Sequence, residues 1–486
     1  MMYVQQPQAQ PQMYYQPQPQ PQPMPFVQPQ PVPMVQPQPG SFIQMQPQLQ
    51  PQQPTQQPGD QMPAPDGKYV DVEFPPINRS VFYSQNPAAD HVQDIINGTQ
   101  GGRITWRRIT DILGPRQKLF NNIHPNDLAQ GILGDCWLLA GIAGLAEFPG
   151  SIQALFAEKE LSQNGCYHIY LFDSNLGAKQ EVIIDDYIPL GPDSQPCFSK
   201  PQDNEAWALL LEKAVAKWFG SYVALAGAFA MTPFLLLQPC RYALAFRQRQ
   251  VPTASGLQYD PNTLEVQQYT LANTHDRTSI RGVPVGTTSA QQAFEELKKA
   301  DDANMPMACW TSKDPPQQTG VGASGEAIAS DGIVKAHAYS LTMADRFEAD
   351  GRVWRIVQLR NPWGANPQAE WNGELSEGWP DWPRFPQLYE KLGMGQQRLD
   401  GLFFMPWERF LDRFSDFGIC PVAGLPDRFA DHENNLARGI KVRGGDAIDV
   451  LSIKKFRSRG SSAYAPASKQ ARKTKSKGKK KKAGCC

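Results

Sequence analysis

An α+β fold in two parts, a helical half followed by a sheet-rich half, is predicted by three observations. Apolar residues recur at helical spacing in "CWLLAGIAGL" and in "NEAWALLLEKAVAKWFGSYVAL", between residues 136 and 225. Beyond Ala230 the pattern changes to short runs such as "QYTLAN", "HAYSLTMA" and "VWRIVQLRNPW", parted by Gly, Asn and Pro, which read as strands and turns. Both flanks differ from the middle, with Pro and Gln dominating one end and Lys and Arg the other.

In chain order, residues 1–64 form a Pro/Gln-rich tail whose few apolar side chains cannot offset the entropy of ordering it. Disorder is expected there, and an adaptor is the partner such a tail suits. Residues 65–230 make the helical part, which also holds two strand-like runs, "CYHIYLFD" and "EVIIDDYIPL". Residues 231–421 make the sheet-rich part, and residues 422–486 a basic extension.

The formal net charge of zero hides an asymmetry. From Lys454 onward there are 13 Lys and Arg and no acid, so residues 1–453 hold 34 basic against 47 acidic groups. No apolar run approaches the ~18 residues that span a bilayer, and the N-terminus lacks the charged start and apolar stretch of a signal peptide. Eight scattered cysteines do not form a disulfide framework, and none makes a CxxC metal pair. An intracellular protein with reduced thiols is expected.

The stretch "NDLAQGILGDCWLLAGIAGL" concentrates chemistry around Cys136. A free cysteine among Leu, Ile and Ala is commonly a small buried hydrophobe. Here Asp135 is a good N-cap type, and Leu138, Leu139, Ile142 and Leu145 fall on one helical stripe, so Cys136 lies in a first helical turn. The N–H groups and dipole at that end favour a thiolate. Gly131 and Gly134 permit a close approach, and Gln130 offers a side-chain amide as an oxyanion donor.

A nucleophilic thiol needs a base and a group that orients the base. Of six histidines, His91, His124, His275 and His432 lie in polar or turn-like sequence and read as solvated, and His168 alternates with apolar neighbours and reads as packing. His337, in "GIVKAHAYSL", follows the loop broken by Gly332 and starts a strand. Downstream, Asn361 ends a strand immediately before Pro362, and its amide oxygen could fix the imidazole tautomer while Trp363 shields the pair from water.

The order Gln, Cys, His, Asn is papain-like, and the chain resembles the calpains, intracellular and typically calcium-activated cysteine endopeptidases. The resemblance rests on "QGILGDCWLLAGIAGL", "DNEAWALLLEKAVAKWFGSYVAL", "MACWTS", "GIVKAHAYSL", "LRNPWG", "EWNG" and "LDGLFFMPWERFL" in family order, and spans about 355 residues. It implies a papain-like core of two subdomains acting on protein substrates. Cys136 would be the nucleophile, His337 the base, Asn361 its orienter and Gln130 an oxyanion donor. It also implies Ca2+ as cofactor. Asp127 and Glu205 match acids of a first calcium site, while Glu370, Glu377 and Asp400 match a second.

The second set departs from the family, with Glu377 where Asp is usual and Leu402 where a carboxylate is usual, so calcium is expected to act more through the first set. The stretch "AFAMTPFLLLQP" also replaces the family's Gly-rich acidic connection. About 65 residues follow the core, too few for the conventional regulatory domains, so no small regulatory subunit is expected. The alternatives are a calpain-fold scaffold with little proteolytic activity, or an acyltransferase using the same Cys-His chemistry.

The ending "KTKSKGKKKKAGCC" suits lipidation of Cys485 and Cys486 beside a polybasic run, which would hold the protein at a cytoplasmic membrane face. Lysine runs also suit nucleic acid, but the Gly-Cys-Cys end favours the membrane and no nucleic-acid partner is expected.

Overall fold

The structure is a computed structural model that describes residues 62–82, 104–253, 256–271, 280–311, 318–322, 326–395 and 400–422, apart from single positions 64, 115, 122, 175, 202 and 203. The expected Pro/Gln-rich tail, the basic extension with Cys485 and Cys486, and His91, His275 and His432 lie outside the described residues.

The helical half contains α1 (Asn78–Phe82), α2 (Ile109–Ile112), α3 (Cys136–Ala146), α4 (Trp207–Phe219) and α5 (Thr232–Leu237). Three two-stranded pairs surround them: β1 (Thr105–Arg108) with β5 (Tyr187–Leu190), β2 (Leu128–Gln130) with β6 (Ser199–Pro201), and β3 (Cys166–Asp173) with β4 (Ala178–Asp185). All eleven residues of α3 are buried, as its uniformly apolar sequence requires. Its Trp137 is fully enclosed and donates its indole N–H to the Leu225 carbonyl at 2.7 Å. Gly141 lets α5 cross closely, since a Cβ there would lie 2.2 Å from Pro233. Helix α4 stops at Gly220, whose φ of +98° suits a residue with no Cβ.

The sheet-rich half holds β7 (Ala243–Thr253), β8 (Gly256–Leu271), β9 (Ile280–Ser289), β10 (Met307–Trp310), β13 (Ala338–Ala349), β14 (Arg352–Arg360), β15 (Leu402–Pro406) and β16 (Asp416–Ile419). These form one antiparallel sheet in the order β15-β14-β13-β10-β16-β7-β8-β9. A separate hairpin joins β11 (Gln318–Val321) to β12 (Ala327–Ala329). Helices α6 (Ala290–Asp302), α7 (Pro386–Leu392) and α8 (Trp407–Arg413) pack on the sheet. The fold class is the α+β arrangement expected from the sequence.

Two elements depart from the sequence reading for identifiable reasons. "EVIIDDYIPL" is not one strand: it breaks at Asp186, whose buried carboxylate leaves the ladder to pair with Arg108 at 2.5 Å. The segment after Ala230 does not open the sheet but first makes α5, every residue of which is buried in the helical half's core. The sheet's own core begins at Leu244. Helix α3 crosses to the sheet through Ser340 on β13, whose hydroxyl donates to the Ala140 carbonyl at 2.7 Å. Among the described residues no helix is long and apolar enough to cross a membrane.

Candidate active site

Cys136 is the first residue of α3 and retains 8% exposure. Its position depends on Gly131, where a Cβ would lie 2.0 Å from the Phe198 carbonyl oxygen, so only glycine allows the entering chain to pass. Across from it, His337 sits just before β13, five residues after Gly332, which has φ +84° and lies so close to Glu370 that a Cβ would meet its carbonyl oxygen at 1.9 Å. The sulfur of Cys136, a ring nitrogen of His337 and a carboxylate oxygen of Glu326 all lie within 4.8 Å of one another.

The tautomer of His337 follows from the amide that faces it. Asn361 Nδ2 donates to the Ala369 carbonyl at 2.8 Å, and its Oδ1 accepts from the Trp363 backbone N–H at 3.1 Å, which fixes the amide's orientation. That same Oδ1 lies 2.9 Å from His337 Nε2, so Nε2 carries the proton. His337 Nδ1 is left buried without a hydrogen-bond partner, as a base's lone pair should be. Trp363 covers the pair with its ring centroid 4.8 Å from the imidazole.

Gln130 ends β2, and its Oε1 accepts from the Trp363 indole at 2.8 Å, a bond that ties the two halves together. Its Nε2 donates one proton to the Leu133 carbonyl at 2.7 Å.

The thiol's electrostatics run against the thiolate expected from its helix position. Burial pushes Cys136 up to about 12, with the Glu326 and Asp135 carboxylates adding to it, while backbone N–H groups of Ala338 and Trp137 pull the other way. Burial likewise lowers His337, against Glu326 and the Asn361 hydrogen bond, which raise it. In this arrangement the pair is a neutral thiol beside a neutral imidazole.

Asp135 holds the N-cap position but makes no cap hydrogen bond with its side chain. Its fully buried carboxyl turns to Glu212 of α4, and burial pushes it up to about 7. Glu212, also raised well above its usual range by burial and by Asp135, accepts from the Ser199 backbone N–H at 2.8 Å and its hydroxyl at 3.0 Å. Two buried carboxyls, both raised, therefore lie on the residue before Cys136 and on the neighbouring helix α4.

The acids of the two expected calcium groups differ in what engages them. Asp127 accepts from the His124 backbone N–H, and Glu205 accepts from the Asn121 backbone N–H at 2.9 Å and the Trp207 indole at 2.7 Å. Glu370 has a buried carboxylate oxygen with no hydrogen-bond partner. It is pushed up to about 7 by burial and then by the neighbouring Glu377 and Asp400 charges. Among the described residues, neither group includes three such side chains with all ligand atoms within 4.8 Å of one another.

Of the remaining histidines, His168 is half-buried with Nδ1 2.7 Å from Glu158. His124 is not simply solvated: its Nδ1 accepts from the Asn126 N–H at 3.1 Å, and burial and Arg360 lower it to about 4. Sequence reasoning passed over Glu212 and Glu326. The first was visible as a lone acid inside "ALLLEKAVA", while the second had no local signal, because only the fold carries it to the thiol.

The calpain family cysteine protease model matches residues 69–239 and 262–421. Calpain-9 of Mus musculus is 28% identical over 386 residues, covering 78% of this chain and 47% of that protein. The calpain-type cysteine protease DEK1 of Arabidopsis thaliana is 30% identical over 363 residues, covering 74% and 14%. The calpain-2 catalytic subunit of Rattus norvegicus is 29% identical over 358 residues, covering 72% and 42%. The chain thus spans less than half the length of these relatives.

Proposed function

The chain belongs to the calpain family of cysteine proteases, and from that premise we propose that it is a Cys-His-Asn endopeptidase making limited cuts in protein substrates, regulated by calcium. One observation carries the reading. A buried imidazole, its Nε2–H held by a fixed amide, presents an unpartnered Nδ1 near the only thiol at that site among the described residues.

In the proposed cycle His337 Nδ1 takes the proton from Cys136 Sγ, and the thiolate attacks the scissile carbonyl carbon. The resulting oxyanion is received by the Cys136 backbone N–H and the side-chain amide of Gln130, a contribution typically worth ~3 kcal/mol per donor. His337 then returns the proton to the leaving amine, and water, deprotonated by the same ring, releases the acyl group. Asn361 holds the ring through both transfers while staying neutral, and Trp363 keeps water from competing for its oxygen.

Calcium, when bound, supplies positive charge that neutralises clustered acids. The residues that fit it best are Glu370, Glu377 and Asp400, because they repel one another and Glu370 keeps an unpartnered oxygen. Asp127 and Glu205 already serve as hydrogen-bond acceptors for their surroundings. The two halves must be in register for the cycle, and Arg360 links them: it bonds Asn126 of the helical half and the Asp400 carbonyl.

The test is cleavage of casein by the purified chain with and without calcium, with Cys136→Ser alongside. Loss in Cys136→Ser supports the nucleophile, equal cleavage by both overturns it, and full activity in excess chelator removes calcium from the reading. Recruitment to a cytoplasmic membrane face through lipidated Cys485 and Cys486 is a separate part of the proposal. Fractionation of cells expressing the Cys485→Ser/Cys486→Ser variant tests it, and equal soluble amounts of parent and variant overturn it.

A further inference from the structure

We propose that Cys136, His337 and Glu326 form a binding site for Zn2+ or a similar soft-to-borderline divalent ion, which blocks the nucleophile reversibly. The inhibition rests on the protease reading; the binding does not. Three donors of three kinds, a sulfur, an imidazole nitrogen and a carboxylate oxygen, converge within 4.8 Å of one another. Zinc bonds of ~2.0–2.3 Å place tetrahedral ligands about 3.3–3.8 Å apart, so side-chain adjustments of about 1 Å suffice.

A second observation points to a ligand at this place. His337 is 1% exposed, and its Nδ1 is buried with no hydrogen-bond partner. The opposite nitrogen donates to Asn361 Oδ1 at 2.9 Å, and Asn361 is itself held by Ala369 and Trp363. A metal-binding histidine needs that outer partner to fix its tautomer and orientation, and here it is in place before any ion arrives.

The donor set selects the ion. Thiolate with imidazole favours zinc over calcium or magnesium, which prefer oxygen, so this site is chemically distinct from the acid groups discussed for calcium. Three protein ligands leave a fourth position for water. On binding, the thiol loses its proton to solvent as the sulfur–zinc bond forms, with no change of oxidation state, and two negative ligands are neutralised by one dication. Glu326 precedes β12, and its backbone carbonyl accepts from Gly322 at 2.8 Å, which anchors the third ligand on the β11–β12 hairpin. The ion would therefore also staple that hairpin over the thiol.

The test uses the full chain with Co2+ as a spectroscopic probe and Zn2+ in competition with a chromophoric chelator. Wild type should bind one equivalent and show a thiolate-to-cobalt charge-transfer band in the near ultraviolet. Cys136→Ser should lose that band, Glu326→Gln should weaken zinc binding at least tenfold, and Cys166→Ser, a change at a half-exposed thiol, should leave both unaltered. Retention of the band in Cys136→Ser, or equal zinc affinity in wild type and Glu326→Gln, overturns the proposal. Casein cleavage is measured in parallel. If the chain binds zinc but never cleaves, the protease reading fails and the site stands; if it cleaves and binds no zinc, the site fails and the protease stands.

Discussion

His337 and Cys136 meet from halves of the chain that treat their polar groups differently. On the sheet side the imidazole is fixed by Asn361, whose amide bonds Ala369, Trp363 and the ring while Nδ1 stays open. The thiol, on the helical side, meets acids from both halves, with Glu326 of the β11–β12 hairpin in front and the helical half's own Asp135–Glu212 pair behind. The imidazole is therefore oriented in advance, whereas burial and the acids around it raise the thiol. The difference teaches that a helix N-terminus favours a thiolate only when burial and nearby carboxylates do not outweigh it.

The largest effect tests the contrast itself. Cys136→Ser and His337→Ala should each lower casein cleavage by ~10³-fold or more, because each removes a group that exchanges the proton. Asn361→Ala should lose less, since it orients the ring and does not react. An Asn361→Ala variant as inactive as His337→Ala would show that orientation on the sheet side is not a separable contribution.

Next in size is the acid in front of the thiol. Glu326→Gln removes a negative charge that raises the Cys136 thiol, so more thiolate forms near neutral pH. Alkylation of Cys136 by iodoacetamide at pH 7.5, followed by mass spectrometry, should become about tenfold faster, equivalent to roughly one pKa unit. An unchanged rate would mean that burial alone controls the thiol.

The two acid groups sharpen the comparison further. Glu370→Gln should raise the calcium needed for half-maximal cleavage several-fold more than Asp127→Asn, because Glu370 has an oxygen to give while Asp127 is held by the His124 backbone. Charge counting in the sequence pointed the opposite way. The larger effect falling on Asp127→Asn would show that internal hydrogen bonds do not prevent an acid from serving the ion.

Legibility followed the same division. The strand "CYHIYLFD" is β3 from end to end, and α3 begins at Cys136, because in both cases local periodicity matches burial. The triad candidates also stood at element boundaries that Gly, Pro and Asn mark in the sequence. What was not legible depends on partners distant in the chain. The break at Asp186 needs Arg108, and the raised thiol needs Glu326, which lies 190 residues away in sequence. Helix α6 carried a signal that was missed: Ser289 and Gln292 form a capping box ahead of "AQQAFEELKKADD".

The smallest effect concerns the acids behind the thiol and is read from stability. Asp135 is wholly buried and pushed up to about 7, chiefly by burial and further by Glu326, against its hydrogen bond with Glu212. An unfolded Asp loses its proton near ~3.9, so between that value and about 7 the folded chain holds a proton that the unfolded chain lacks. Stability from this group is complete below the unfolded value and is lost as pH rises through the folded one, with a slope of at most ~1.4 kcal/mol per pH unit. Asp135→Asn keeps a neutral group in the same space and removes the titration. Its thermal midpoint should therefore fall less steeply than wild type between pH 5 and pH 8, and Glu212→Gln should flatten the curve in the same direction. Parallel curves for wild type and both variants would mean that the pair behind Cys136 does not hold its proton into the neutral range.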